Sequence, residues 1–542
     1  MHGVRESRVL AIIPARAGSK RIPNKNMRVV GSRPLVSYVI ERALKSSRIT
    51  DIVVTTDSSE VAIVAKQMGV QVHDRPAQLC GDDVPLDSVV WDVLSSTAND
   101  YDYIVTLQPT TPSLKSETID AAIAYSEEQD FDTVISVINR PGLNWIQKDD
   151  HVVPGYTERL NSQYLPANYC ETGSFLISKP DIITETSRVG GRVGVYEVTP
   201  DEAISINTFQ DLALAKVILS NESIGFFVNG NNELGVGHVS RVLQLADEFY
   251  AKPKIYYDFN QTDEKLFNGS TYETIGVDGV DGLLEALKKD PCNIFVNDIL
   301  STSEEYMTEL RAVLPHARII NFEDEGPGAL LADAVINALL EKTNIRNAKT
   351  GSSFYIVPKT FLIYQPITIH ERVSRVLVTF GGADPMGYTE RVLDIIFDNL
   401  SDYQDVVFEI VLGPAKKKMQ CYEQYKQAPN MVFHENISNM PEIMSRCDIA
   451  ISSRGRTCFE LAVMGVPTVS IAQNKREETH TFVSHESGFD YLGFDPSDGV
   501  IKANIDLYIG LSKAEREKIQ SQLLKSDLRN GRNRVINFIH SL

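Results

Sequence analysis

Short apolar runs alternate with amphipathic stretches along the whole chain. Residues 8–13 (RVLAII) and 51–56 (DIVVTT) are dense in apolar and β-branched side chains and read as strands. Between them, residues 34–47 put Leu35, Val39, Ala43 and Leu44 on one helical face, with Pro34 suited to the first turn. Asp57 stands three residues before Glu60, which predicts a capping-box start for a helix ending at Gly69. Strands are expected at 103–107, 133–138 and 174–177, and INTFQDLALAKVILS closes the series near residue 220. The alternation restarts at 224–229 (IGFFVN), with further strands at 254–259, 293–296 and 318–321. A third series opens at 375–380 (RVLVTF), followed by a helix at 388–400 and strands at 406–412, 448–452 and 468–472. Residues 345–374 read as a connection with short apolar stretches of its own. Such alternation predicts an α/β protein with mainly parallel sheets and helices on both faces. The expected division is one domain over residues 1–222 and two lobes over 223–370 and 371–542.

Bulk properties narrow the function. A chain of 542 residues is long enough for two to four folding units with sizeable cores. A net charge of −19 and a pI near 5.1 argue against nonspecific nucleic-acid binding, which demands a basic surface. Small anionic ligands remain open, because a local basic loop overrides global charge. The six cysteines form no CxxC pair and no histidine sits at finger spacing, so zinc is not expected. The apolar run at 9–14 is too short for a signal-peptide core, and no uncharged apolar run reaches membrane-spanning length. A cytoplasmic protein without membrane contact is expected.

The first chemistry-bearing stretch is PARAGSKRIPNKN (14–26), directly after a strand. Ala17 and Gly18 let the backbone approach a ligand, Ser19 adds a hydroxyl, and Arg16, Lys20, Arg21 and Lys25 concentrate positive charge in an acidic chain. These groups suit a polyphosphate, although the pattern is not that of a P-loop. The segment resembles the signature of the CMP-sialic, CMP-pseudaminic and CMP-legionaminic acid synthetases. RPAQLCGDD (75–83), TLQPTTPS (106–113) and NYCETGSFLIS (168–178) resemble later motifs of that family, in order. The resemblance covers about residues 8–220 and implies a Rossmann-like nucleotidyltransferase domain. It also implies attack of a nonulosonic acid on the α-phosphorus of CTP, with Mg²⁺ as cofactor and a homodimer formed across the sugar site. By position, Arg16, Lys20 and Lys25 would be catalytic. Ser19, Asn26, Arg75 and Gln108 would hold the nucleotide and border the sugar. One departure stands out: where the family carries an Asp-x-Asp metal pair, this chain reads Ser205-Ile206-Asn207. Asp211, four residues on, is open to a compensating metal role or to a structural role in its helix. The metal ligands are thus left unassigned.

The second stretch is ELGVGHVSR (233–241), again after a strand and before a helix. Gly235 and Gly237 permit close backbone approach, and His238 at the helix start could act as a general base. The stretch resembles the signature of the UDP-sugar hydrolase of the pseudaminic acid pathway, a GT-B relative. FGGADPMGYTERVL (380–393) and DIAISSRGRTCFELAVMGVPTVSI (448–471) extend the resemblance over about residues 223–540. It implies two Rossmann-like lobes, His238 as the base, and Gly237, Gly381, Gly382 and Glu460 around a nucleotide sugar, UDP-linked by the family's habit. Arg241, three residues after His238, lies on the same helical face. Arg454-Gly455-Arg456 replaces the family's small residues, and those two guanidinium groups could grip a more anionic ligand or block the usual one. VND (296–298) lacks the family's Asp-x-Tyr pattern. Lys416–Lys418 reads as a solvated helix start with phosphate contact as the lesser alternative, His480 as structural or supporting the site from behind, and Trp91 and Trp145 as packing residues, Trp145 lying in a stretch (RPGLNW) that could border the sugar pocket.

The expectation is therefore a bifunctional enzyme of nonulosonic acid biosynthesis, with a cytidylyltransferase followed by a nucleotide-sugar hydrolase. The alternatives are a glycosyltransferase or a non-catalytic binding module in the second half, or a first domain that lost activity with its Asp pair.

Overall fold

The computed structural model describes residues 7–542 apart from 32, 99, 221, 231–236, 251, 383, 414–420, 436 and 438. It divides into two compact units, Met1–Asn221 and Glu222–Leu542.

The first unit is built on seven strands: β1 (Val9–Pro14), β2 (Asp51–Thr56), β3 (Gln71–Asp74), β4 (Tyr103–Leu107), β5 (Thr133–Asn139), β6 (Tyr169–Ser178) and β7 (Val193–Glu197). Their order is β7-β5-β6-β4-β1-β2-β3, and only β6 runs antiparallel to its neighbours. The run RVLAII shows no polar alternation because β1 is covered twice. Val9, Ala11 and Ile13 enter one core, and Leu10 and Ile12 enter the opposite one. The helix Ser59–Gln67 is capped by Ser58, whose side chain accepts the Val61 N–H. The expected cap, Asp57, is drawn instead to the loop after β1, where its Oδ1 accepts the Ala17 N–H at 2.7 Å. A hairpin of Trp145–Lys148 and His151–Pro154 stands outside this sheet. Trp145 is 56% exposed and Trp91 39% exposed, so neither is the packing residue expected of it.

The second unit holds two parallel sheets. One contains β8 (Ile224–Val228), β9 (Lys254–Asp258), β10 (Glu273–Val277), β11 (Ile294–Asp298), β12 (Arg318–Phe322), β13 (Ala334–Asn337) and β14 (Ala348–Thr350), in the order β10-β9-β8-β11-β12-β13-β14. The other contains β15 (Arg375–Thr379), β16 (Val407–Leu412), β17 (Met431–Glu435), β18 (Ile449–Ser453), β19 (Thr468–Ala472) and β20 (Phe489–Phe494), in the order β17-β16-β15-β18-β19-β20. Each order reverses at its first strand, the Rossmann pattern, and two such lobes in one unit make the GT-B arrangement. The helix Gly531–Ser541 returns from the second lobe to the first. Its Val535 and Ile539 are buried with Ile224, Phe226 and Val242, and Arg318 donates to the Ile539 carbonyl at 3.1 Å. Gly531 is needed there, because a Cβ would collide with the Tyr355 carbonyl. No helix among the described residues is long and apolar enough to cross a membrane.

Candidate functional site

In the first unit, the loops after β1, β3 and β4 enclose a cavity of about 230 Å³. Arg16, Ser19, Lys25, Asn26, Arg75 and Gln108 all line it. Four of them are fixed from behind. Asn26 Nδ2 donates to the Arg16 carbonyl at 3.0 Å, and Arg75 Nη2 to the Thr55 carbonyl at 2.8 Å. Gln108 lies against Gly173, whose φ of +74° is easiest for glycine and whose missing side chain leaves room for the amide. Lys25 Nζ donates to the Ile206 carbonyl at 3.0 Å. Burial, with Arg21 and Arg16 nearby, pushes the Lys25 ammonium below its usual pKa. Asp82 carries no signal in the sequence, yet its carboxylate pairs with Arg16 Nη2 at 2.5 Å and with Lys20 Nζ at 2.6 Å. An acidic side chain thus holds the two cations at the cavity mouth. Lys20 itself is mostly solvent-exposed.

The residues at the departure from the metal pair do not fit a divalent ion held by protein carboxylates. Asp211 Oδ2 accepts the backbone N–H groups of Asn207 and Thr208, at 2.8 and 2.7 Å, and completes the capping box of the helix Phe209–Leu219. Its role is structural. Asn207 Nδ2 is turned toward the Ser205 carbonyl and hydroxyl. Among the described residues, no group of three or more His, Cys, Asp or Glu side chains is placed to hold a metal.

The second unit carries a buried charged network at the carboxyl ends of β11 and β12. His238, on the helix Gly237–Ala246, has Nδ1 2.5 Å from Asp298 Oδ1. Arg241 Nε and Nη2 donate to the two Asp298 oxygens at 2.7 and 2.6 Å, and Nη1 donates to Glu323. From the second lobe, Arg456 Nη2 reaches Glu323 Oε2 at 2.8 Å, and Arg476 Nη2 lies 3.6 Å from the same oxygen. Arg241 Nη2 also lies 3.2 Å from Nδ1, but the carboxylate is nearer, at 2.5 Å, and assigns that nitrogen the proton, leaving the lone pair on Nε2. Burial, then Arg456, holds the imidazole below its ordinary pKa. Burial opposes ionisation of Asp298, but Arg241 and His238 outweigh it and hold the carboxyl at about 2. Arg241 and Arg456 likewise keep Glu323 well below the usual range.

A cavity of about 70 Å³ beside this network is lined by Gly237, Arg241, Tyr355, Arg456 and Glu460 among others. Burial pushes the Glu460 carboxyl up to about 7. Gly381 and Gly382 lie apart from that lining, beyond the end of β15; Gly381 is near Ser453 at the end of β18. The two arginines that look equivalent in sequence separate here. Arg454 is buried, donates to the carbonyls of Glu478 and Val483 at 2.9 Å each, and covers the Tyr491 ring. It is a packing residue, so only Arg456 faces the site. His480 is also buried, with Nδ1 2.9 Å from the Arg454 carbonyl. Residues 233–236 of the glycine loop, with Gly235, and Lys416–Lys418 lie outside the described residues.

Sequence reasoning does not find Asp298 and Glu323, since VND departs from the family pattern. The available signal is a carboxylate at the end of an otherwise apolar strand, as in IFVND and RIINFED.

The fold defines a chain of two parts, a mostly parallel α/β unit with a cation-lined cavity and a unit of two Rossmann-like lobes with a buried histidine. Residues 10–161 match the family model described as Cytidylyltransferase. N-acylneuraminate cytidylyltransferase A of Danio rerio is 31% identical over 224 residues, covering 39% of this chain and 51% of its own. CMP-N,N'-diacetyllegionaminic acid synthase of Legionella pneumophila is 43% identical over 120 residues, covering 21% of this chain and 52% of its own. The chain thus spans about half the length of these two relatives. Spore coat polysaccharide biosynthesis protein SpsG of Bacillus subtilis is 24% identical over 282 residues, covering 49% of this chain and 83% of its own. The N-terminal region is similar to the sialic and legionaminic acid synthetases, as its motifs indicate.

Replacing Asp298 tests the network as a structural unit. Asp298→Asn leaves Arg241 short of a charge partner and is expected to cost roughly 3–5 kcal/mol in chemical denaturation. The folded pKa is depressed from 3.8 to about 2, so the stabilisation is fully present above about pH 4. It is lost as pH falls through about 2. The variant is expected to lack this acid-side loss; parental stability in the variant would contradict the assignment.

Proposed function

We propose that the first unit transfers CMP from CTP to a nonulosonic acid, giving CMP-sugar and pyrophosphate. The observation that carries the reading is the single cavity shared by Arg16, Ser19, Lys25, Asn26, Arg75 and Gln108. The anomeric hydroxyl loses its proton to solvent and attacks the α-phosphorus: a new O–P bond forms as the bond to the pyrophosphate oxygen breaks. Arg16, Lys20 and Lys25 neutralise the charge that moves onto the leaving group. Ser19, Asn26 and Arg75 hold the nucleotide, and Gln108 borders the sugar. Asp82 yields Arg16 and Lys20 to the triphosphate. That exchange is cheap, since exposed ion pairs are worth only about 0–1 kcal/mol. Mg²⁺ comes with the CTP phosphates in this reading, and no step is assigned to it.

The second unit, on the same proposal, hydrolyses a UDP-linked sugar. The His238–Asp298 pair supports it, because a carboxylate at Nδ1 orients a neutral imidazole to accept a proton at Nε2. Water gives its proton to Nε2 and its oxygen to the anomeric carbon, and the nucleoside diphosphate leaves with the bonding electrons. Two copies of the chain pair through the first unit, where Trp145, Ile146 and Val152 of the hairpin are about half exposed or more.

Three measurements test this. CTP incubated with Mg²⁺ and a panel of nonulosonic acids should release pyrophosphate, and Lys25→Ala should lower kcat by roughly 10²-fold. No pyrophosphate with any of the acids would sink the first reading. UDP-sugars without an acceptor should release free sugar, and His238→Ala should slow this at least about 10²-fold; parental rates would remove His238 from the chemistry. Sedimentation should show a dimer that Trp145→Glu with Val152→Glu converts to monomer, and an unchanged dimer would place the interface elsewhere.

A further inference from the structure

Arg456 is the cation whose position the proposed hydrolysis leaves unexplained. It stands just before the helix Thr457–Met464 of the second lobe and reaches the strand ends of the first. Its Nη2 lies 2.8 Å from Glu323 Oε2 and 3.5 Å from His238 Nε2. Nδ1 is spent on Asp298, so Nε2 is the nitrogen with which His238 would take a proton. A guanidinium cannot give up its own charge in a protein. The base therefore has a permanent cation in front of its lone pair. Gly237 makes the approach possible, because a Cβ there would collide with the Arg456 guanidinium.

The charged groups coupled to the ring come from every element around it. Asp298 ends β11, Arg241 shares the histidine's helix, Glu323 follows β12, Arg456 precedes its helix, and Arg476 touches the cluster through Glu323. Among these ion pairs three guanidinium groups meet two carboxylates, and Glu460, which lines the same cavity and is coupled to Arg456, adds a third carboxyl that burial pushes up to about 7. Such a cluster can admit an anion: if Arg456 turns to a ligand, Glu323 keeps Arg241 and Asp298 keeps both its partners.

We propose that Arg456 is a ligand-operated gate on His238. Without an anion in the cleft, Glu323 holds the guanidinium against Nε2, and the base is disabled. The phosphate oxygens of a nucleoside diphosphate, which a guanidinium binds in bidentate fashion, draw Arg456 away and free Nε2. The gate rests on reading His238 as the base. It makes Arg456 a positioning and specificity-determining residue: a sugar without the diphosphate enters the cleft but does not release the base.

The test is NMR titration of histidine-labelled full-length protein, with His238 assigned among the ten histidines by loss of its signal in His238→Gln. Arg456→Gln should raise the His238 pKa by roughly one to two pH units. Arg476→Gln, which removes equal charge one carboxylate further from the ring, should move it much less. Saturating UDP should raise the His238 pKa in the parent and leave it unchanged in Arg456→Gln. Identical titration of His238 in parent and Arg456→Gln overturns the proposal, and so does an equal shift in both arginine variants. Should Arg456→Gln fail to fold, Arg456→Met, which keeps the aliphatic stem and removes only the guanidinium, is titrated in its place, and no rise there overturns the gate. Hydrolysis is not needed for this readout, so an inactive second unit would refute the base and leave the gate to be judged on the titration alone.

Discussion

A parallel strand covered on both faces has no room for a ligand along its length, so chemistry collects where such strands end. Most candidate residues in this chain lie at or beyond such strand ends. Arg16, Arg75 and Gln108 stand just beyond the carboxyl ends of β1, β3 and β4. Asp298 closes β11, Glu323 follows β12, and Arg454 to Arg456 follow β18. The strand interiors supply the rigidity: Leu10, Ala11, Ile12 and Ile13 have no solvent exposure at all, and neither do Val376, Leu377 and Val378. Short loops hung from such strands inherit their precision.

The two sites use charge in opposite ways. The first keeps Arg16 and Lys20 near water and engages them with one exposed carboxylate, so these pairs exchange at little cost. The second seals two carboxylates from solvent, where removing one partner would leave a charge without compensation. Its precision also has a backbone cost. Glu323 has a φ of +53°, unfavourable for a residue with a side chain, and its N–H is tied to the Ile336 carbonyl at 2.8 Å. That turn aims the carboxylate at Arg241 and Arg456 instead of at solvent.

How much is legible in sequence follows from which forces are local. Doubly buried strands such as β1, β8 and β15 announce themselves as unbroken apolar runs, and the glycine- and cation-rich loop marks the first cavity by its composition alone. Edge strands such as β3 (QVHD) and β17 (MVFHE) mix polar and apolar residues, because one face or one side meets solvent, and their patterns do not mark them as strands. Arg454 and Arg456 show the deeper limit. Two residues apart, they are chemically identical in sequence; one is swallowed by its own lobe against Tyr491, and the other crosses to Glu323. Asp298 sits in a segment that fails the family's pattern, and its partner His238 lies 60 residues away, so only the sheet order brings the two together.

The helix Gly531–Ser541 bears on the order in which the molecule can be made. The core around Ile224, Phe226 and Val242 is completed by Val535 and Ile539, residues that leave the ribosome after the entire second lobe. The first unit has all its core residues before residue 222 and can close while synthesis continues. In the first lobe of the second unit one face of the sheet is complete without that helix, but the other keeps an apolar groove open until the lobe that follows it in sequence has been synthesised.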